Sequence, residues 1–222
     1  GSRGLGDVYK RQMGSILWAF ANGYDESPVK LENTSAPVKS VGNSTTTPRD
    51  METDEDVKIV LYILAESVAA RLRENGFRCR TVEISVRDKE LFHFSKQVKL
   101  QNASNITKEI AEAGYRLYKD NYRLPADDKE LKSSRPEFFQ KPLRSIGIRA
   151  TDLVTDYFWE QLDMFMDPQA REKQMKMDET VDIIRKRFGF YSVQRGLMYR
   201  DRILSACDAK SDHTVHPHGY FG

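Results

Sequence analysis

Two runs of alternating residues constrain this chain more than any other feature. From Thr81 through Val82, Glu83, Ile84, Ser85 and Val86 to Arg87, polar and apolar side chains take strict turns, and residues 92–100 do so less cleanly after an Asp88-Lys89 turn. A period of two marks a strand with one wet and one dry face, so the pair predicts a β-hairpin. Helical spacing lies on either side of it. Thr53-Asp54-Glu55-Asp56 reads as a capping box with acids in the first turn, followed by Val57, Leu61, Leu64, Val68 and Leu72 on one stripe and a stop at Asn75-Gly76. A second helix begins at Ser104 or Asn105 and carries Ile106, Ile110, Ala113 and Leu117 on one stripe. The threonine-rich residues 40–47 suit an extended strand, and residues 144–150 alternate again. Strand, helix, strand, strand, helix, strand predicts an α+β domain, a four-stranded antiparallel sheet with both helices on one face.

Helices on one face leave the other bare. With Val82, Ile84, Val86, Phe94, Val98, Ile146 and Ile148 turned to the helices, alternation sends Thr81, Ser85, Arg87, His93, Ser95, Gln97, Lys99, Ser145, Gly147 and Arg149 outward. Small side chains let a backbone ligand come close, and interspersed cations match phosphates, so the face suits a DNA backbone. Plain solvation is the other reading of the same residues.

Composition excludes other classes. At 222 residues, 39% hydrophobic and 31% charged, the chain supports one core with polar extensions. No apolar run approaches the roughly 20 residues of a membrane span and no cleavable signal is visible, which leads us to expect a cytoplasmic protein with no membrane partner. Cys79 and Cys207 are expected to be free thiols. Cys207, His213, His216 and His218 gather near the C-terminus, but their spacing fits no familiar closed metal site, so no metal is expected there. A net charge of +2 does not announce a nucleic-acid binder, and that case rests on where the charges stand.

The flanks divide the chain further. Residues 1–12 lack apolar periodicity, and Asp7-Val8-Tyr9-Lys10-Arg11-Gln12 resembles a translated sequencing adapter, so they are set aside as an artefact joined to the remainder of a longer protein. Residues 13–23 read as the end of a helix stopped by Asn22-Gly23, residues 24–37 as a linker, and residues 38–154 as the sheet domain. Within residues 155–167, Gln161, Leu162, Asp163, Met164 and Phe165 combine an amide that can donate and accept with three large apolar groups, which marks either a docking peptide or a buried strand end. Residues 168–222 form a C-terminal helical extension and tail. Its helix, over 167–188, carries Met177, Val181, Ile184 and Phe188 on one stripe with Arg171, Lys173, Lys176, Arg185, Lys186 and Arg187 around it, for a further DNA contact or for packing on a core.

Several of these segments resemble, in order and spacing, the little-finger domain of Y-family DNA polymerases. They are Lys39-Ser40-Val41-Gly42, Thr45-Thr46, residues 80–86 and 95–100, Asn105-Ile106-Thr107 and Arg144 to Arg149. Residues 17–25 are similar to the end of the thumb domain that precedes it. The 161–165 peptide falls where bacterial members of the family carry their sliding-clamp peptide, with Met164 in place of the more usual leucine. Arg187-Phe188-Gly189 and residues 212–217 resemble an extension found in some of those members.

The resemblance implies translesion synthesis by the parent protein, with Mg²⁺ held by palm carboxylates upstream and no cofactor in this fragment, which is then inactive alone. It implies a monomer gripping primer-template DNA through Lys39, Ser40, Thr45, Arg87, Ser95, Gln97, Lys99, Arg144, Ser145, Gly147 and Arg149. It also implies a sliding-clamp partner for residues 161–165. The rival is an RNA-binding module with the same strand order, which needs exposed aromatics on its inner strands. Alternation turns Phe92 and Phe94 toward the helices and leaves only His93 outside.

Overall fold

Thr53 begins the central helix as its residue type predicts. In a computed structural model, which describes residues 11–26, 38–122, 124, 141–155 and 167–206, its hydroxyl accepts from Asp56 N at 3.1 Å while Asp56 Oδ2 accepts from Thr53 N at 3.2 Å. The chain divides into two units, residues 1–37 and residues 38–222. In the first, α1 (Arg11–Ala21) ends where Asn22 folds back on Trp18 O and Gly23 takes φ +79°. This helix includes Arg11 and Gln12, two of the residues set aside as adapter-derived.

The second unit runs β1 (Ser40–Met51), α2 (Asp54–Glu74), β2 (Phe77–Asp88), β3 (His93–Ser104), α3 (Thr107–Asn121), β4 (Leu143–Thr155), α4 (Pro168–Phe188) and α5 (Arg202–Ser205), with two 3₁₀ turns between the last two. The strands make one sheet in the order β1-β4-β2-β3, every pair antiparallel, as the alternation predicted. β1 continues past the expected Thr47 to Met51, a core residue, because Pro48 sits on an edge strand with no ladder bond to lose, close to a break in register.

Val57, Leu61, Leu64, Val68 and Leu72 are all buried against the sheet, as are Ile106, Ile110, Ala113 and Leu117 of the α3 stripe. Yet α2 is buried nearly all round, with Ile59, Val60, Ile63, Ala65 and Ala69 also inside. The added cover comes from the C-terminal extension, whose Met198 and Leu204 join the same core. Cys79 is a free, buried thiol donating to Ser104 O at 3.3 Å, and burial pushes its pKa up to about 12, so it stays protonated. Cys207 and the three neighbouring histidines lie outside the described residues. Among those described, no helix is long and apolar enough to cross a membrane.

The extension corrects the expected apolar stripe of α4. Met177 and Phe188 point outward, and the buried member of that helix is Asp178, 2% exposed. Asp178 accepts from Thr107 N at 2.8 Å, so the first turn of α3 receives its capping carboxylate from 71 positions downstream. Around it, Arg73 pairs with Asp182 at 2.6 Å, Arg171 with Glu109 at 2.9 Å, and Glu66 takes both Arg185 and Arg195. The extension is thus an ionic cover over α2 and α3.

A second staple is acid-sensitive. Arg49 binds both oxygens of Asp56, at 2.6 and 3.0 Å, and Asp201 at 2.6 Å. For both carboxyls burial disfavours the charge, but the Arg49 hydrogen bonds and backbone N–H groups outweigh it and hold each pKa below the ordinary 3.8. Folded values below the unfolded value mean that their stabilisation is complete above about pH 4 and is lost as pH falls through the lower, folded pKa. Urea midpoints should therefore drop on acidification below about pH 4, and Arg49→Met should flatten that limb while lowering stability at neutral pH. An unchanged acid limb in the variant would remove the staple from the account.

Candidate nucleic-acid interface

Register aligns the outward residues in rows across the four strands. From β1 to β3 they read Ser40-Thr151-Thr81-Lys99, then Gly42-Arg149-Glu83-Gln97, then Ser44-Gly147-Ser85-Ser95, then Thr46-Ser145-Arg87-His93. Both α2 and α3 and the C-terminal extension lie on the reverse side of the sheet, and among the described residues of the second unit no helix covers these rows. Ser44, Thr46, Arg87, His93, Ser95, Gln97, Lys99 and Arg149 are exposed.

The middle of the face is kept low by Gly147. A Cβ there would stand 2.7 Å from Ser85 Oγ and 2.8 Å from Ser44 Cβ, so only glycine lets the two serines close over the central strand. Ser145 Oγ donates to Thr45 O at 3.0 Å and ties β1 to β4 beside it. The result is a shallow depression of about 340 Å³ lined by Ser44, Thr45, Thr46, Ser85, Val86, Arg87, His93 and Ser145. Arg149 borders it across the next row. A Cβ on Gly42 would meet Arg149 Cγ at 3.1 Å, so the arginine stem lies over bare backbone. Among the described residues Arg87, Lys99 and Arg149 have no carboxylate partner.

Most of the expected residues meet on this face: Ser40, Arg87, Ser95, Gln97, Lys99, Ser145, Gly147 and Arg149, with exposed Lys39 just before β1. Two do not. Thr45 pairs with Ile146 and so has helix-side parity, although it still helps line the depression, while its neighbours Ser44 and Thr46 take the outward positions. Arg144 falls where the register of β4 breaks, and its guanidinium is 3.6 Å from Asp50. Glu83, which is not among the expected residues, stands between Arg149 and Gln97. Strict alternation of β2 already puts Glu83 in phase with Ser85 and Arg87. Residues 161–165 lie outside the described residues.

Phe94 faces the helix side and stacks on Tyr122 with centroids 6.0 Å apart. Phe92, expected to be covered, is 60% exposed, because it precedes β3 at the hairpin tip beyond the reach of the helices. Among the described residues the open face carries no aromatic ring. Nor do the acids near the start of α2 converge on a metal: Asp54 binds Tyr118 Oη at 2.8 Å and Lys119, Glu55 binds Arg200, and Asp56 binds Arg49. These partners do not fit a Mg²⁺ site.

Comparison with known proteins gives a consistent picture. A "DNA polymerase IV" of Acetivibrio thermocellus is 42% identical over 198 residues, 88% of this chain and 46% of that protein. "DNA polymerase IV 2" of Bacillus subtilis is 33% identical over 196 residues, 85% of this chain and 42% of that one. The chain thus spans less than half the length of these curated relatives. Among solved structures, a "Post-insertion binary complex of Dbh DNA polymerase" aligns with 70% of this chain and 39% of its own at 16% identity and a TM-score of 0.37, too loose a likeness to add to the assignment. The family model for the impB/mucB/samB family C-terminal domain matches residues 38–164. The resemblance drawn from the sequence is borne out, and the chain belongs to the impB/mucB/samB family, whose C-terminal domain it carries.

Proposed function

We propose that this chain is the DNA-holding and clamp-docking part of a translesion DNA polymerase of the DNA polymerase IV kind, acting in the cytoplasm as a monomer. The observation that carries this reading is the bare sheet face, where serines, threonines and glycine at the centre are flanked by Arg87, Lys99 and Arg149. Cations without acidic partners attract phosphates, small side chains let the backbone settle, and neither selects a base sequence. The absence of open-face aromatics among the described residues disfavours the RNA-binding module, which stacks bases on its strands.

The deciding experiment is a salt titration of binding to primer-template DNA, with single-stranded RNA of equal length beside it. With Lys39, Arg87, Lys99 and Arg149 available and Arg144 engaged by Asp50, about four phosphates are contacted, and log affinity should fall against log salt with a slope of about −3 to −4. DNA should bind more tightly than RNA. A slope near zero, or a preference for RNA, defeats the proposal.

Docking on the sliding clamp is assigned to Gln161, Leu162, Asp163, Met164 and Phe165. Burying Leu162, Met164 and Phe165 contributes roughly 1.5 to 3 kcal/mol each, offset by several kcal/mol of ordering, for a net affinity of about micromolar strength. Such weak docking raises local concentration on DNA while permitting exchange. Phe165→Ala should weaken clamp binding by roughly tenfold or more in a surface-plasmon assay, and unchanged binding would refute the assignment.

A further inference from the structure

The last long helix shows part of its apolar surface to solvent: Val181 and Ile184 are half-buried, but other large apolar groups are not. The side of α4 that meets α2 and α3 is ionic, with Asp178, Asp182 and Arg185 engaged there, whereas Met177, Ile183 and Phe188 stand outward at 46%, 69% and 66% exposure. Exposed apolar groups gathered with charges often mark an interaction surface. From residue 183 to 206 the chain carries Arg185, Lys186, Arg187, Arg195, Arg200 and Arg202 against one acid, Asp201. Glu66 pairs with Arg185 and Arg195, the latter also with Asp178, Glu55 takes Arg200, and Asp201 is held by Arg49. Lys186, Arg187 and Arg202 remain exposed, with no carboxylate partner among the described residues.

One of these cations lies against a ring. The Arg187 guanidinium is 5.1 Å from the centroid of Phe188. Tyr191, 52% exposed and in the 3₁₀ turn that follows α4, donates its hydroxyl to Ala206 O at 3.1 Å, which ties the four-residue α5, begun by Arg202, to the turn that leaves α4. We propose that Lys186, Arg187, Phe188, Tyr191 and Arg202 form a second nucleic-acid surface, for single-stranded DNA, on the side of the domain away from the open sheet face.

Charge and shape favour this occupant. An apolar protein partner would have to desolvate Lys186 and Arg187, which sit between Ile183 and Phe188, without returning a counter-charge. An acidic peptide would return the charge but offer no flat faces to the exposed rings. A single strand supplies both, phosphates for the cations and bases for the rings, with little dependence on sequence.

The surface is independent of the sheet reading, and the test separates the two. In the full 222-residue chain carrying Arg87→Glu and Arg149→Glu, a fluorescent oligo-dT of about 20 nucleotides should still bind by anisotropy at low salt. Adding Phe188→Ala should weaken that binding roughly tenfold, and adding Lys186→Glu with Arg187→Glu should weaken it by roughly 100-fold and flatten its salt dependence. A Glu-rich peptide should compete far less well than unlabelled oligo-dT. These side chains are exposed, so thermal melts should be unchanged. The proposal is overturned if oligo-dT does not bind the sheet-disabled chain. It is also overturned if binding ignores the Phe188 and charge-reversal variants, or if the acidic peptide displaces the oligonucleotide equally well.

Discussion

Replacing Asp178 with alanine should destabilise the second unit, residues 38–222, by roughly 3 to 5 kcal/mol, the range found when one member of a buried ionic cluster is removed. The side chain is 2% exposed and has no water to fall back on. Its loss strips Thr107 N of a 2.8 Å acceptor at the start of α3. It also leaves Arg73, itself 8% exposed at the side chain, without a carboxylate 3.5 Å away, and Arg195 without one at 3.3 Å. Arg73 keeps Asp182, so the damage is bounded. Asp178→Asn should fall between the two, since an amide oxygen can still accept from Thr107 N but brings no charge. Urea unfolding followed by circular dichroism measures both. A loss under about 1 kcal/mol in the alanine variant would show that α4 is a loose appendage.

Reversing Arg87 and Arg149 together should weaken primer-template binding by roughly 100-fold at low salt and reduce the salt slope by about 2. Both side chains are exposed on the open face and neither pairs with a carboxylate among the described residues, so folding should be indifferent to the change. Arg144→Glu is the informative contrast. Its guanidinium already lies 3.6 Å from Asp50 and its strand position is off the rows, so it should cost far less DNA affinity than either of the others. Equal effects at all three positions would mean that net charge, rather than this face, governs binding. No effect in the double variant would remove the sheet from the proposed grip.

The sheet was legible because its signals are local. Alternation through Thr81 to Arg87 needs only the pleat to decide which side chains share a face, and Thr53 with Asp56 closes its capping box within one turn. Strand parity likewise puts Glu83, Ser44 and Thr46 on the open face and Thr45 on the helix side.

What nearest neighbours along the chain cannot encode is which distant charge answers a given one. Nothing around Asp178 in sequence says that it caps Thr107, or that Glu66 will hold Arg185 and Arg195. Helical spacing alone favoured an inward stripe of Met177, Val181, Ile184 and Phe188, yet the packed protein turns Met177 and Phe188 to solvent. The order of elements, their faces and the cationic side of the sheet follow from the amino-acid sequence, because hydrophobic periodicity and capping act over a few residues. The orientation of the C-terminal helix and the fate of Arg144 were settled only by tertiary structure, because a buried carboxylate must meet its partners wherever the chain brings them.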